Sequence, residues 1–347
     1  MFSRCAVHRV SCAARAAVKT KRSLATEATP VYVSPSTGSN PAYDEALKVI
    51  AQDKEYRYSM LKKVEKELAR VKKANNSATQ SQQLSRLQQL ATDLKVKAEL
   101  NEPEVQWRFQ SGFRDMNQPV YRYMVQREFQ KHQKSKLLER LLQMRICPDI
   151  LEQFDPAAQV VINYGNHSVQ EAGIFLQPGD TIEAPSVSFI NFHEETKLYT
   201  ILMVDPDVPD QERQSYQQQC LWLATNVPLS TTQPIANGGD TVVPYTPPHP
   251  QKGTKYHRYT TVILEQPNGK IELSPSLESK RFDTRQLIQQ HQLVPRGISF
   301  FREIWDEDVS RIYSDILKER EPVYGKPPKA KRDPTDTSRK TQKYLLL

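Results

Sequence analysis

The sequence predicts two structurally different halves: a basic all-helical segment over residues 41–146, then a mainly β domain over 147–318 of antiparallel sandwich or barrel type with flanking helices. Three observations carry this. Between residues 41 and 146 there is a single glycine, Gly112, which suits helices and does not suit a sheet. Residues 147–317 hold 8 of the 11 Gly and 15 of the 24 Pro, interspersed with short apolar runs. Charge divides at the same place: residues 47–146 carry 21 Lys and Arg against 11 Asp and Glu, whereas residues 147–317 carry 12 against 22. A basic flank beside an acidic domain predicts that any polyanion is met by the flank.

Taken in order, residues 1–26 contain Arg4, Arg9, Arg15, Lys19, Lys21 and Arg22, no acid, and no apolar run of signal-peptide length. This composition predicts a mitochondrial transit peptide, with Lys21 to Ala25 as the cleavage region and a matrix location for the mature chain. A basic arm that stays attached is the alternative. Residues 27–40 read as a linker, closing on Ser34-Pro-Ser-Thr-Gly-Ser-Asn40, and Asn40-Pro41 reads as an N-cap with Pro at the first helical position. Leu47, Ile50, Tyr58, Leu61, Val64, Leu68 and Val71 then keep a three-to-four spacing to about residue 74. A second helix, about 79–100, aligns Leu84, Leu87, Leu90, Leu94 and Ala98, and Asn101-Glu102-Pro103 ends it. After a bend containing Gly112, a third helical run extends from Pro119 to about Met144.

The β domain is read from Gln159–Ile162, Leu198–Val204 and Tyr259–Leu264, with Pro267-Asn268-Gly269-Lys270 expected as a hairpin turn between two strands. A last helix is expected at about 307–318. Residues 319–347, where Pro322, Pro327, Pro328 and Pro334 alternate with Lys and Arg, are expected to form an extended basic tail.

Several function classes are disfavoured. No run approaches the roughly 18–20 apolar residues of a spanning helix, so no membrane insertion is expected. Cys147 and Cys220 stand alone, without the CxxC spacing of zinc or redox sites. The chain has no nucleophile elbow and no phosphate loop, and it is expected to be neither an enzyme nor a holder of a metal or cofactor.

Two clusters in the β domain bear chemistry. Asp205-Pro-Asp207-Val-Pro209 follows an apolar strand and reads as a stiff turn at a sheet edge; Pro244-Tyr245 through His249-Pro250 to Gly253-Thr-Lys-Tyr-His257-Arg-Tyr259 follows later. Asp205, Asp207 and His257 could in principle ligate a metal or form a general acid and base pair, but Asx-type turns at strand ends are the commoner use of such residues.

These motifs carry a resemblance. Leu198–Pro209, Leu221-Trp-Leu-Ala-Thr-Asn226 and Gly253–Tyr259, with Phe301-Arg-Glu-Ile-Trp-Asp306, are similar to the signature blocks of the phosphatidylethanolamine-binding protein (PEBP) family over roughly residues 150–318. The resemblance implies a β sandwich of PEBP-like type with flanking helices and an anion pocket at one end of the sheet. By position Asp205, Asp207, Tyr245, Pro250, His257 and Tyr259 match that pocket. Leu221 stands where the family has a pocket histidine, Gln251 stands in place of a proline, and Lys255 replaces the last glycine of the turn. Losing an imidazole donor removes about 1.5–3 kcal/mol of a charge-assisted bond to phosphate, so the pocket is read as vestigial and no small-molecule ligand is expected.

A transit peptide, a basic helical extension, a PEBP-like domain and a basic tail are together similar to PEBP-like proteins of the mitochondrial large ribosomal subunit. That resemblance implies a structural role in mitochondrial translation, with large-subunit rRNA held by the flanks and neighbouring ribosomal proteins held by the PEBP-like domain, near the central protuberance. Arg57, Lys62, Lys63, Lys72, Lys73, Arg108, Arg122, Lys329, Lys331 and Arg332 are the expected RNA contacts, several beside aromatic residues suited to stacking. The alternative is a soluble matrix PEBP that binds anionic phospholipid headgroups or phosphorylated ligands and regulates a partner.

Overall fold

The computed structural model describes residues 32–325 apart from 37, 74–77, 153 and 274–277. The expected transit peptide and the tail residues Lys329, Lys331 and Arg332 lie outside the described residues.

Helix α1 (Pro41–Lys73) starts where Asn40 accepts bonds from the Ala42 and Tyr43 amides, at 3.1 and 3.4 Å. It folds back on α2 (Ala78–Glu99); Tyr58 donates to Glu99 at 2.6 Å, and Lys54 pairs with Glu102. The bend expected after residue 100 contains a further helix, α3 (Pro103–Gln110), because Pro103 sits in the first turn, where backbone N–H groups have no intrahelical partner and a fixed φ favours the helix start. Its Val105 packs with Val120, Tyr121 and Met124 of α4 (Pro119–Glu128). One π-helical segment, Phe129–Gln133, carries the chain into α5 (Lys134–Gln143), and the short α6 (Ile146–Asp149) follows.

Ten strands follow among the described residues: β1 (Gln159–Tyr164), β2 (His167–Val169), β3 (Ile174–Phe175), β4 (Ser186–Ile190), β5 (Lys197–Asp210), β6 (Ser215–Leu229), β7 (Asp240–Val243), β8 (His257–Glu265), β9 (Lys280–Phe282) and β10 (Val294–Glu303). Helix α7 (Thr284–Gln290) precedes β10, and α8 (Glu307–Arg311) runs into a π-helical segment, Ile312–Leu317. A small sheet has the order β2-β1-β4; the large one has β3-β10-β8-β5-β6-β7, with β9 on β6. All pairings are antiparallel except that of the two-residue β3 with β10.

The large sheet is buried on both faces, which is why β5 and β8 read as continuous apolar runs and not as alternations. Ile201, Met203, Tyr259 and Phe301 meet Val160, Ile162, Val187 and Phe189 of the small sheet. Leu202, Val204, Val262 and Phe300 face the opposite way, against Leu141 of α5, Ile146 of α6, Ile150 and Leu287 of α7. The last helices of the basic segment are thus part of the same core as the sheet.

Two expectations are corrected. β5 does not end before Asp205-Pro-Asp207; it continues to Asp210 through a register shift between Asp205 and Val208, and it is an interior strand. Pro206 is tolerated because the β8 ladder stops at Val204, so its missing N–H costs no pairing. The turn at Pro267–Gly269 does not lead into a hairpin. β8 already has β5 and β10 on its two sides, leaving no edge for a returning strand. Asn226 instead binds the departing chain, accepting from the Ile271 amide at 3.0 Å and donating to its carbonyl at 2.8 Å.

Candidate functional site

Where β5 and β8 part, side chains replace the ladder. Asp207 accepts from the Arg258 amide at 2.9 Å, and the Arg258 guanidinium grips both its carboxylate oxygens, Nε at 2.8 Å and Nη2 at 2.6 Å. Arg258 also donates from Nη1 to the Met144 carbonyl at 2.6 Å and to Asp149 at 2.9 Å. It therefore ties β5 and β8 to the end of the helical segment. Sequence alone gives Arg258 a place in a motif but no role; its position between two acidic residues appears only in three dimensions.

Two residues before Asp207 in β5 and one before Arg258 in β8, a second pair meets: His257 Nδ1 lies 2.7 Å from Asp205 and its Nε2 lies 2.9 Å from Thr254 Oγ1. Burial opposes charge on this imidazole, but the Asp205 carboxylate outweighs it and the net pKa is raised. Tyr259 stacks at 6.3 Å from His257 and packs on Phe301 at 5.5 Å. Glu303, opposite His257 in the β8–β10 register, accepts from Thr181 at 2.8 Å, and burial pushes its carboxyl up to about 8. The Tyr259 hydroxyl and Glu303 Oε2 are buried without a hydrogen-bond partner among the described residues.

The other expected pocket residues are held internally. Tyr245 donates to the Thr181 carbonyl at 2.6 Å, Pro250 is buried, and Leu221 is 1% exposed in the same core cluster as Tyr259. The Pro-rich loop is roofed by the segment after the last helix. The Tyr324 amide donates to the Lys252 carbonyl at 2.8 Å, and Glu321 accepts from Trp305 at 2.6 Å and Ser310 at 2.8 Å. The structure thus brings Asp205, His257 and Tyr259 together but turns Asp207 away to Arg258, so the three side chains a metal would need do not converge.

The expected RNA contacts divide into three groups. Lys62, Lys63, Lys72 and Lys73 are exposed on α1 and form no ion pair among the described residues. Arg57 pairs with Asp53 at 2.6 Å, and Arg108 pairs with Glu104 at 2.5 Å. Arg122 is corrected: it is buried, pairing with Glu194 and donating to the Met116 and Asn117 carbonyls at 3.2 and 3.4 Å, so it joins the helices to the β domain and faces no solvent. Tyr121 beside it is 1% exposed, also core. Among the described residues no helix is long and apolar enough to cross a membrane.

Residues 154–298 match the model of the phosphatidylethanolamine-binding protein family. The chain is 29% identical over 302 residues to the Large ribosomal subunit protein mL38 of Schizosaccharomyces pombe, covering 83% of this chain and 93% of that protein. It is 28% identical over 169 residues to Protein TERMINAL FLOWER 1 of Arabidopsis thaliana, covering 48% of this chain and 91% of that protein. Among solved structures, a carboxypeptidase Y inhibitor complexed with its cognate proteinase is 21% identical, covering 50% of this chain and 97% of its own, with a TM-score of 0.43. A phosphatidylethanolamine-binding protein from Plasmodium vivax is 20% identical, covering 49% and 97%, with a TM-score of 0.41.

Proposed function

We propose that this chain, a PEBP-family domain carried behind a basic helical extension, is a non-catalytic structural component of the mitochondrial large ribosomal subunit. The observation that carries the reading is the extent of the similarity to mL38. It runs through 302 residues, and so takes in helices as well as the β domain, whereas the similarity to TERMINAL FLOWER 1 spans 48% of the chain. The exposed lysines of α1 hold rRNA phosphates together with Lys329, Lys331 and Arg332 of the tail, by counterion release. The acidic β domain packs on neighbouring ribosomal proteins, near the central protuberance. The leader composition supports residence in the mitochondrial matrix. The buried state of Asp205, His257, Tyr259 and Leu221 supports a vestigial pocket that takes no small molecule and no cofactor.

Sedimentation of a mitochondrial lysate through sucrose tests this. The protein is expected to travel with the large subunit at low salt and to be released at high salt; a peak at the top of the gradient at low salt overturns the reading. The second reading, a matrix PEBP that binds anionic headgroups, is favoured by retention of Asp205, His257 and Tyr259. It requires saturable binding of a phosphorylated ligand to the full chain.

A further inference from the structure

The β domain is acidic as a whole, yet one corner gathers cations and aromatic rings. Arg302 lays its guanidinium 4.0 Å from the ring centre of Phe175 and 5.3 Å from that of Tyr256, and the two rings meet edge-on at 6.1 Å. Its Nε donates to the Gly173 carbonyl at 2.7 Å, which fixes the plane, while its two Nη groups have no acceptor among the described residues. The same two chain segments hold a second pair, with Lys252 Nζ 4.1 Å from the centre of the Trp305 ring. Lys252, Lys255 and Arg302 form no ion pair among the described residues, although 22 acids lie in residues 147–317. Phe175 is 50% exposed and Tyr256 38%. Both rings carry the Arg302 guanidinium and remain partly exposed.

We propose that this corner docks unpaired nucleotides of single-stranded RNA, bases stacking on Phe175 and Tyr256 while phosphates meet Arg302, Lys252 and Lys255. The proposal rests on the ribosomal reading and adds to it, because that reading gives RNA contact to the flanks and protein contact to the β domain. Partly exposed rings next to cations that lack a carboxylate partner match the alternation of base and phosphate along a single strand. An acidic peptide would use the charges but leave the ring faces without a partner. The last described residues also reach this corner, where the Tyr324 amide donates to the Lys252 carbonyl at 2.8 Å.

The test uses the full chain and a fluorescein-labelled U12 oligoribonucleotide, titrated over a range of salt, with ultraviolet crosslinks mapped on the peptides. A Phe175→Leu/Tyr256→Leu double variant keeps apolar area and removes the π faces. It is expected to bind about tenfold more weakly with the salt slope unchanged, while Tyr256→Phe retains wild-type affinity, and crosslinks fall on peptides containing Phe175 or Tyr256. Unchanged affinity of the Leu variant, with crosslinks confined to residues 41–146 or the tail, overturns the proposal and leaves the ribosomal reading standing. Equal losses in Tyr256→Phe and Tyr256→Leu also overturn it, since stacking does not need the hydroxyl. Absence of any salt-dependent binding by the wild-type chain overturns both.

Discussion

The carbonyl oxygen of Tyr324 rests against Gly253 so closely that a Cβ built there would overlap it. Gly253 also has φ +91°, a conformation that L side chains rarely adopt. Gly253→Ala is therefore expected to lift the segment 319–325 from the Pro-rich loop at a cost of about 1–3 kcal/mol. Limited proteolysis should cut that segment faster while the β core stays resistant; unchanged cleavage would show that this close approach does not hold it.

Arg258 is the charge that lets Asp207 and Asp149 be partly buried together. Arg258→Leu is expected to destabilise the protein by about 3–5 kcal/mol in urea unfolding, because two carboxylates lose their partner. Arg258→Lys should recover only part, since one ammonium cannot reproduce the fork on Asp207. Full recovery would mean that charge alone matters.

Glu303 predicts the pH dependence of stability. Its folded pKa of about 8 lies above its ordinary value of 4.5, so its contribution is fully present below 4.5 and is lost as pH rises through 8. His257, also raised, acts in the same direction above its ordinary value of 6.5. The melting temperature should fall as pH rises from about 4.5 to about 8. Glu303→Gln, which keeps the acceptor for Thr181, should flatten much of that fall, on the order of 3–5 kcal/mol at its alkaline end. An equally steep fall in the variant would assign the dependence to other groups.

Arg122→Ala should uncouple α3 and α4 from the β domain. Hydrogen exchange is expected to quicken over residues 103–128, where the Met116 and Asn117 carbonyls lose their donor, while β5 and β8 amides keep their protection. Uniform quickening would instead show a single cooperative unit.

Changing Lys62, Lys63, Lys72 and Lys73 together to Glu should release the protein from large subunits at lower salt. For every phosphate no longer neutralised, the slope of log affinity against log salt becomes shallower by about 0.7–0.9. Retention at the wild-type salt concentration would move the RNA-binding surface elsewhere.

Periodicity makes the three long helices legible, because a one-sided stripe of Leu and Val has only one way to be buried. The apolar runs of β1, β5 and β8 are legible for a similar reason, being too short for buried helices and bounded by turn residues. Helix α3 is not, because Pro103 reads equally as the end of one helix and the start of the next. The Pro267–Gly269 turn is legible but its consequence is not, since nothing local reveals that β8 already has neighbours on both sides.

Local sequence by itself determined where this chain is helical, where it is β, which segment is basic, and which motif holds the Asp, His and Tyr residues of the site. Only the tertiary structure decided what those residues do. Arg122 and Lys72 are both cations on a basic helix, yet one is buried against Glu194 and the other meets solvent. Asp205 and Asp207 are two residues apart, yet one holds His257 and the other Arg258. Such outcomes depend on which strands become neighbours across the sheet, and that is set by the burial of both its faces.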